Sequence, residues 1–307
     1  MLIFAASDKG GTGRSVTSSN VIYRSALQGN DVCYLDFDFS SPTCGSIFDL
    51  IKFERGTRDG LGLHSYLQGV CGEPQRLDVW SESDRACLRQ RPAGAGRMVL
   101  MPGDVAGGEF VASREIVDRC SRLFLRLEEE FDVSIVDLSA GRSHALEMAL
   151  AATATPDLRA VKSRWLVYHR WTRQHLIAAA GLVYGERGIL EVGKALGHDV
   201  ESLRQSLRFV HTSVVDPDSA DLAGLQAEQA AWLRAYDNSL KDLASELRVG
   251  KSLLLGAVPH DPVLQWREQL IVNDDVLTEG IANASTRYAF EQLAAKIADD
   301  AVWEAPQ

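Results

Sequence analysis

The chain has 307 residues, 46% of them apolar and 24% charged, an ordinary globular composition in a chain long enough to bury its own core. A formal charge of −10 argues against a dedicated nucleic-acid binder, which would carry a basic surplus. The five cysteines, Cys33, Cys44, Cys71, Cys87 and Cys120, form no CxxC pair, so a disulfide framework, a zinc ribbon and an iron–sulfur carrier motif have no support.

The apolar amino terminus is too short for a signal sequence, and no run approaches the ~18 unbroken apolar residues of a membrane helix. A cytoplasmic location is expected. Leu2–Ser7 is an apolar run ended by glycines, which predicts a buried strand. Ser15–Leu27 carries helical spacing and stops near Gly29. Val32–Leu35 is a second strand, leading into Asp36 and Asp38. Strand, glycine loop, helix and strand in this order form a βαβ unit, so the sheet should be parallel. Farther along, the pattern predicts a short helix over Leu63–Leu67, a strand over Met98–Met101 and an amphipathic helix over Arg114–Glu130. A strand over Val133–Val136 then ends at Asp137, and Trp165–Tyr168 opens into a helix over Arg170–Tyr184. After a strand at Leu207–His211, a long helix is expected over Asp218–Arg248, with Leu222, Leu225, Trp232, Leu233, Tyr236, Leu240, Leu243 and Leu247 as its core stripe. Leu253–Val258 is the last strand and Thr286–Ala301 a closing helix. Strand and helix alternate end to end, which reads as one α/β domain over residues 1–307, with 185–200 as its least regular part and a candidate insertion.

Asp8-Lys9-Gly10-Gly11-Thr12-Gly13-Arg14-Ser15 falls at the first strand-to-helix junction. Glycines there let backbone N–H groups turn inward around a phosphate, and the helix N-terminus adds a favourable dipole. A cation beside the last glycine would meet β- and γ-phosphates, and Ser15 is placed to offer its hydroxyl to Mg²⁺. Asp8 stands where the common GxxxxGK(S/T) pattern has glycine, and Arg14 where it has lysine. A carboxylate of Asp36 or Asp38 could orient an attacking water or hold Mg²⁺ through water, and Asp137 could hold the ion's hydration shell. All three segments fall at the carboxyl ends of strands, where open α/β sheets bind ligands.

Lys9–Ser15 resembles the deviant Walker A motif, KGGxGK(S/T), of the ParA/MinD family of ATPases. Leu35–Asp38 resembles that family's switch I strand end, and Val136–Gly141 (VDLSAG) its Walker B and switch II segment. Gly60–Gly69 and Leu100–Gly103 are similar to its G-L-x-x-L and L-P-x-G stretches, and Gly256–Asp261 to the loop that borders the adenine. The resemblance implies a P-loop NTPase fold, a mostly parallel twisted sheet with helices on both faces. It implies ATP and Mg²⁺ as ligands, and a homodimer closed around two nucleotides whose hydrolysis releases it and positions cargo or a protein partner. Lys9 would reach the partner's phosphates, acting in catalysis with Asp38 and Arg14. Gly10, Gly11, Thr12, Gly13, Arg14, Ser15, Val16, Thr212 and Pro259 would hold the nucleotide, and Ser15, Asp36 and Asp137 the metal. Arg14 replaces the family's loop lysine and Val16 a common threonine, so slow hydrolysis is expected; a nucleotide-binding scaffold with little hydrolysis is the competing reading. The (N/T)KxD guanine motif is missing, since the strand near 207–210 runs into His211-Thr212-Ser213, which favours ATP over GTP.

The carboxyl terminus KIADDAVWEAPQ lacks the cationic face of a membrane-surface helix, so packing through Phe290, Leu293 and Ile297 is expected instead. Residues 158–175 hold Arg159, Lys162, Arg164, Arg170 and Arg173 with two tryptophans and no acid, a composition able to bind DNA. Net charge opposes that reading, and a strand through Trp165–Tyr168 would split the basic residues between its ends.

Overall fold

In the computed structural model, which describes residues 1–105, 107–219 and 222–304, the apolar runs become eight strands. They are β1 (Leu2–Ala6), β2 (Val32–Phe37), β3 (Leu77–Asp78), β4 (Met98–Met101), β5 (Val133–Leu138), β6 (Ser163–Arg170), β7 (Leu207–Val214) and β8 (Leu254–Pro259). Their order is β3-β4-β2-β5-β1-β6-β7-β8, parallel throughout except for the antiparallel β3–β4 pair. Among the described residues, six helices have ten residues or more: α1 (Arg14–Leu27), α2 (Arg114–Glu130), α3 (His144–Thr153), α4 (Arg173–Tyr184), α5 (Ala227–Glu246) and α6 (Ala284–Ala298).

Both faces of the sheet are covered, which is why its strands read as continuous apolar runs. Leu2, Phe4 and Ala6 of β1 face the layer of α2, α3 and α4, whereas Ile3 and Ala5 face that of α1 and α6. Phe4 stacks on Trp165 at 4.5 Å between centroids, a pair worth about 0.5–1.5 kcal/mol beyond its burial. Ser113 and Ser143 cap α2 and α3 by accepting hydrogen bonds from the amides of Ile116 and Leu146.

The long helix starts later than the sequence predicts. Gly224 interrupts the apolar pattern, and the Gln226 amide donates to Gln229 Oε1 at 3.0 Å, so α5 begins at Ala227. Residues 220 and 221 of the expected helix lie outside the described residues. The stripe is also narrower: Leu240 is buried, but Trp232 is 65% exposed and stacks flat on Tyr236. Residues 185–200 carry a helix, Ile189–Ala195, whose Ile189 is fully buried and which packs on α3 and α4. Phe290, Leu293 and Ile297 bury α6 as expected, and residues 305–307 of the carboxyl terminus lie outside the described residues. No helix among the described residues is long and apolar enough to cross a membrane.

His169 and His211 pair across β6 and β7, with ring centroids 4.6 Å apart. Both are buried, and the Nε2 atom of each has no hydrogen-bond partner among the described residues. Burial pushes His169 down to about 4 and His211 to about 3, so both rings are neutral in the fold at pH 7. An unfolded chain protonates them near 6.5. As pH falls from 6.5 toward 4, only the unfolded state gains these protons, and stability drops by about 1.4 kcal/mol per pH unit per histidine. The urea midpoint should therefore decline already between pH 6.5 and 5, above the range where ordinary carboxylates titrate. A flat midpoint over that window would mean that the rings are charged in the folded protein.

Candidate functional site

The site forms where β1, β2 and β5 end side by side. Gly11 and Gly13 adopt positive φ (68° and 74°), which turns the loop over the end of β1 and into α1. Among the described residues no side chain caps the first turn of α1, and no acid occupies that turn, so its amide groups are placed to meet an anion. Lys9, Gly10 and Gly11 are exposed on the outer lip, while Thr12 is buried and its carbonyl accepts a hydrogen bond from the Thr212 hydroxyl. Asp8 pairs with Arg142 at 2.9 Å, and the Gly141 amide donates to the Ser7 carbonyl at 2.7 Å. The segment after β5 is thereby tied to the loop after β1, giving Asp8 a role in this chain.

One cavity of about 270 Å³ runs from the phosphate loop to the end of β8. It brings together Gly11, Gly13, Val16, Thr212 and Pro259, all expected to hold nucleotide. Its wall also includes Arg170, Ser213 and Trp266, which the sequence did not single out for nucleotide contact. Trp266 is 81% exposed, an unusual state for so large an apolar ring beside a cavity. Ser213 adopts φ 51°, a left-handed conformation uncommon for serine and found here on the cavity wall. Only Arg170 among the five basic residues of 158–175 reaches this cavity. Lys162 and Arg164 pair with Asp300 at the opposite end of β6, and Trp165 is fully buried, so the strand divides the basic segment.

Arg14 departs most from expectation. Its side chain is 6% exposed and folds beneath the loop toward the carboxylates instead of outward. Nε donates to Asp137 Oδ1, Nη2 to Asp38 Oδ2 at 3.1 Å, and Nη1 to Ser7 Oγ at 3.2 Å. Burial alone would lower its pKa, but Asp137 and then Asp38 outweigh it, so the guanidinium is held charged. Asp137, fully buried, accepts at its other oxygen from the Tyr34 hydroxyl at 2.8 Å and the Cys44 thiol at 3.4 Å. Asp36 is also buried, accepting from the amides of Cys44 at 3.0 Å and Asp38 at 3.2 Å. Burial, followed by the charge of Asp137, pushes Asp36 up to about 8, so it is largely protonated at neutral pH.

These residues do not fit a hydrated magnesium ion as they are arranged. Both oxygens of Asp137 are engaged, Asp36 lies inward on backbone amides, and of the three expected ligands only Ser15 stays half-buried. Among the described residues no group of three or more His, Cys, Asp or Glu could hold a metal. Where the sequence predicts Ser15, Asp36 and Asp137 around Mg²⁺, the structure places Arg14 between Asp137 and Asp38 and leaves Asp36 on backbone amides.

No protein-family model matches the chain, and no curated protein matches it in sequence. Solved structures do match in fold. MinD in the MinC:MinD cell division complex of Aquifex aeolicus aligns over 96% of this chain and 95% of its own, with TM-score 0.56 at 14% identity. A ParA family ATPase from Chlorobium tepidum TLS aligns over 96% and 98%, with TM-score 0.54 at 13% identity. The chain has the fold of the MinD and ParA ATPases. The same fold is shared with cobyrinic acid a,c-diamide synthase from Mycobacterium smegmatis, solved with ADP and magnesium (TM-score 0.57, 16% identity, 96% of this chain and 92% of that one). A fold that carries both a division ATPase and a synthase leaves function to be argued from the site.

Proposed function

We propose that this chain is an ATP-binding dimerisation switch that hydrolyses its nucleotide slowly and positions or assembles a protein partner. The observation that carries the reading is the phosphate loop itself: a helix N-terminus with no side-chain cap, two glycines with positive φ that line a cavity bordered by Thr212 and Pro259, and an exposed Lys9 in the same loop. Phosphates would lie on the loop amides and the base between Thr212 and Pro259. Lys9 is exposed, which leaves it accessible to a second copy's nucleotide. The ParA- and MinD-like fold supports this reading, and the MinC:MinD complex is an example of a partner bound by such a fold.

The Arg14 arrangement favours a second, less catalytic form of the same reading, a nucleotide-binding scaffold. With Asp137 and Asp38 both engaged by a guanidinium, neither is free to orient a water. Light scattering with ATP, with ADP and without nucleotide tests the switch: mass should double with ATP alone. Phosphate release measured in parallel separates switch from scaffold. A mass unchanged by ATP under conditions where ATP binds would sink the dimerisation reading and leave the scaffold.

A further inference from the structure

We propose that Arg14 takes the place of the magnesium ion, and that this loop binds a nucleoside triphosphate without a divalent cation. The inference rests on the nucleotide-binding reading above and concerns what neutralises the phosphates once bound. A cation held as the sequence predicts would have to share Asp137, yet both oxygens of Asp137 are already engaged. It is fully buried within β5, in register with Ala5 of β1 and Asp36 of β2, so its backbone cannot swing outward. Arg14 Nε holds one of its oxygens, while Tyr34 and Cys44 hold the other.

The guanidinium bridges Asp137, an expected metal ligand, and Asp38. Its planar fork carries five N–H groups. Three are used, on Asp137, Asp38 and Ser7, leaving one on each terminal nitrogen uncommitted among the described residues. Arginine is the cation suited to this geometry, because it stays charged when buried and can engage a carboxylate and a phosphate oxygen at once. A lysine, with a single nitrogen, could not span Asp137 and Asp38 in the same way. Further positive charge reaches the cavity from Arg170 in its wall. The amides of the first turn of α1 add to it. A triphosphate would therefore meet positive charge from Arg170 and the loop amides, while the charge of Arg14 serves to hold Asp137 and Asp38 in the metal's stead.

The test uses the full chain and a fluorescent ATP analogue, titrated once with excess Mg²⁺ and once with excess EDTA. For the wild-type chain the two dissociation constants should agree within about threefold. Arg14→Lys should acquire a metal requirement, binding about tenfold or more weakly in EDTA than in Mg²⁺. Wild-type binding that weakens about tenfold or more in EDTA would overturn the proposal while leaving nucleotide binding intact. Equal affinities for Arg14→Lys in the two conditions would show that metal independence does not come from Arg14, which also overturns it. Absence of binding in both titrations overturns the nucleotide reading instead, and this inference with it. The wild-type comparison requires no variant, so it decides the metal question even if Arg14→Lys does not fold.

Discussion

Replacing Arg14 with alanine is expected to cost about 3–5 kcal/mol of folding stability, far more than a surface arginine would. The substitution leaves Asp137, fully buried, without its cation, and removes the clamp that joins it to Asp38 and Ser7. A carboxylate stranded in this way relieves part of the penalty by taking up a proton. Its folded pKa would then lie above its unfolded value, so the variant loses stability as pH rises and its deficit against wild type is largest near neutrality. Urea unfolding at two pH values checks both the size and the slope. Adding Asp137→Asn to Arg14→Ala removes the stranded charge, so the double variant should be more stable than the sum of the two single losses allows. A deficit for Arg14→Ala below about 1 kcal/mol would mean that the clamp contributes little to the fold.

The sequence carried the sheet because a strand buried on both faces leaves an unmistakable apolar run. Met98–Met101 was legible to the residue for that reason, and β5 and β7 to within two or three residues of their ends, while the helical period of its apolar residues marked Arg114–Glu130. Leu77–Asp78 was not, since a two-residue antiparallel edge strand has no periodicity to read. The start of α5 was missed because the leucines at 222 and 225 continue a helical spacing across Gly224, whereas the helix begins where the Gln229 side chain accepts from the Gln226 amide.

At the site, the loop residues were legible from their types and order, but the direction of the Arg14 side chain was not. That direction is set by carboxylates 24 and 123 residues away, which the fold brings together. Cys44 read only as a cysteine outside any CxxC pair and Tyr34 as a strand residue; their role as donors to Asp137 appears only when β2 and the segment after it lie beside β5. Trp266 likewise gained interest from its exposure at the cavity, a property that a hydrophobic pattern cannot show.

The same contrast between inward and outward cations yields the prediction with the largest functional effect. Lys9 is exposed at the loop's outer lip, whereas Arg14 lies buried beneath it. Truncating Lys9 should leave the fold unchanged within about 0.5 kcal/mol, as for other surface positions. Intrinsic nucleotide binding should also persist, because the loop amides, Arg14 and the base cavity are untouched. What should vanish is the ATP-dependent doubling of mass, if Lys9 supplies the charge that meets the partner's phosphates across a desolvated interface. Removing one member of such a buried charge contact costs about 2–5 kcal/mol, roughly 30- to 4,000-fold in affinity, enough to take a micromolar dimer out of reach. Lys9→Ala should then behave as a monomer with ATP in light scattering while retaining wild-type affinity for the analogue. If Lys9→Ala dimerised with ATP as well as wild type does, this lysine would not be the contact that joins the two copies. If it lost the nucleotide altogether, Lys9 would instead be part of its own chain's phosphate cradle, and the division of labour between the two cations would have to be redrawn.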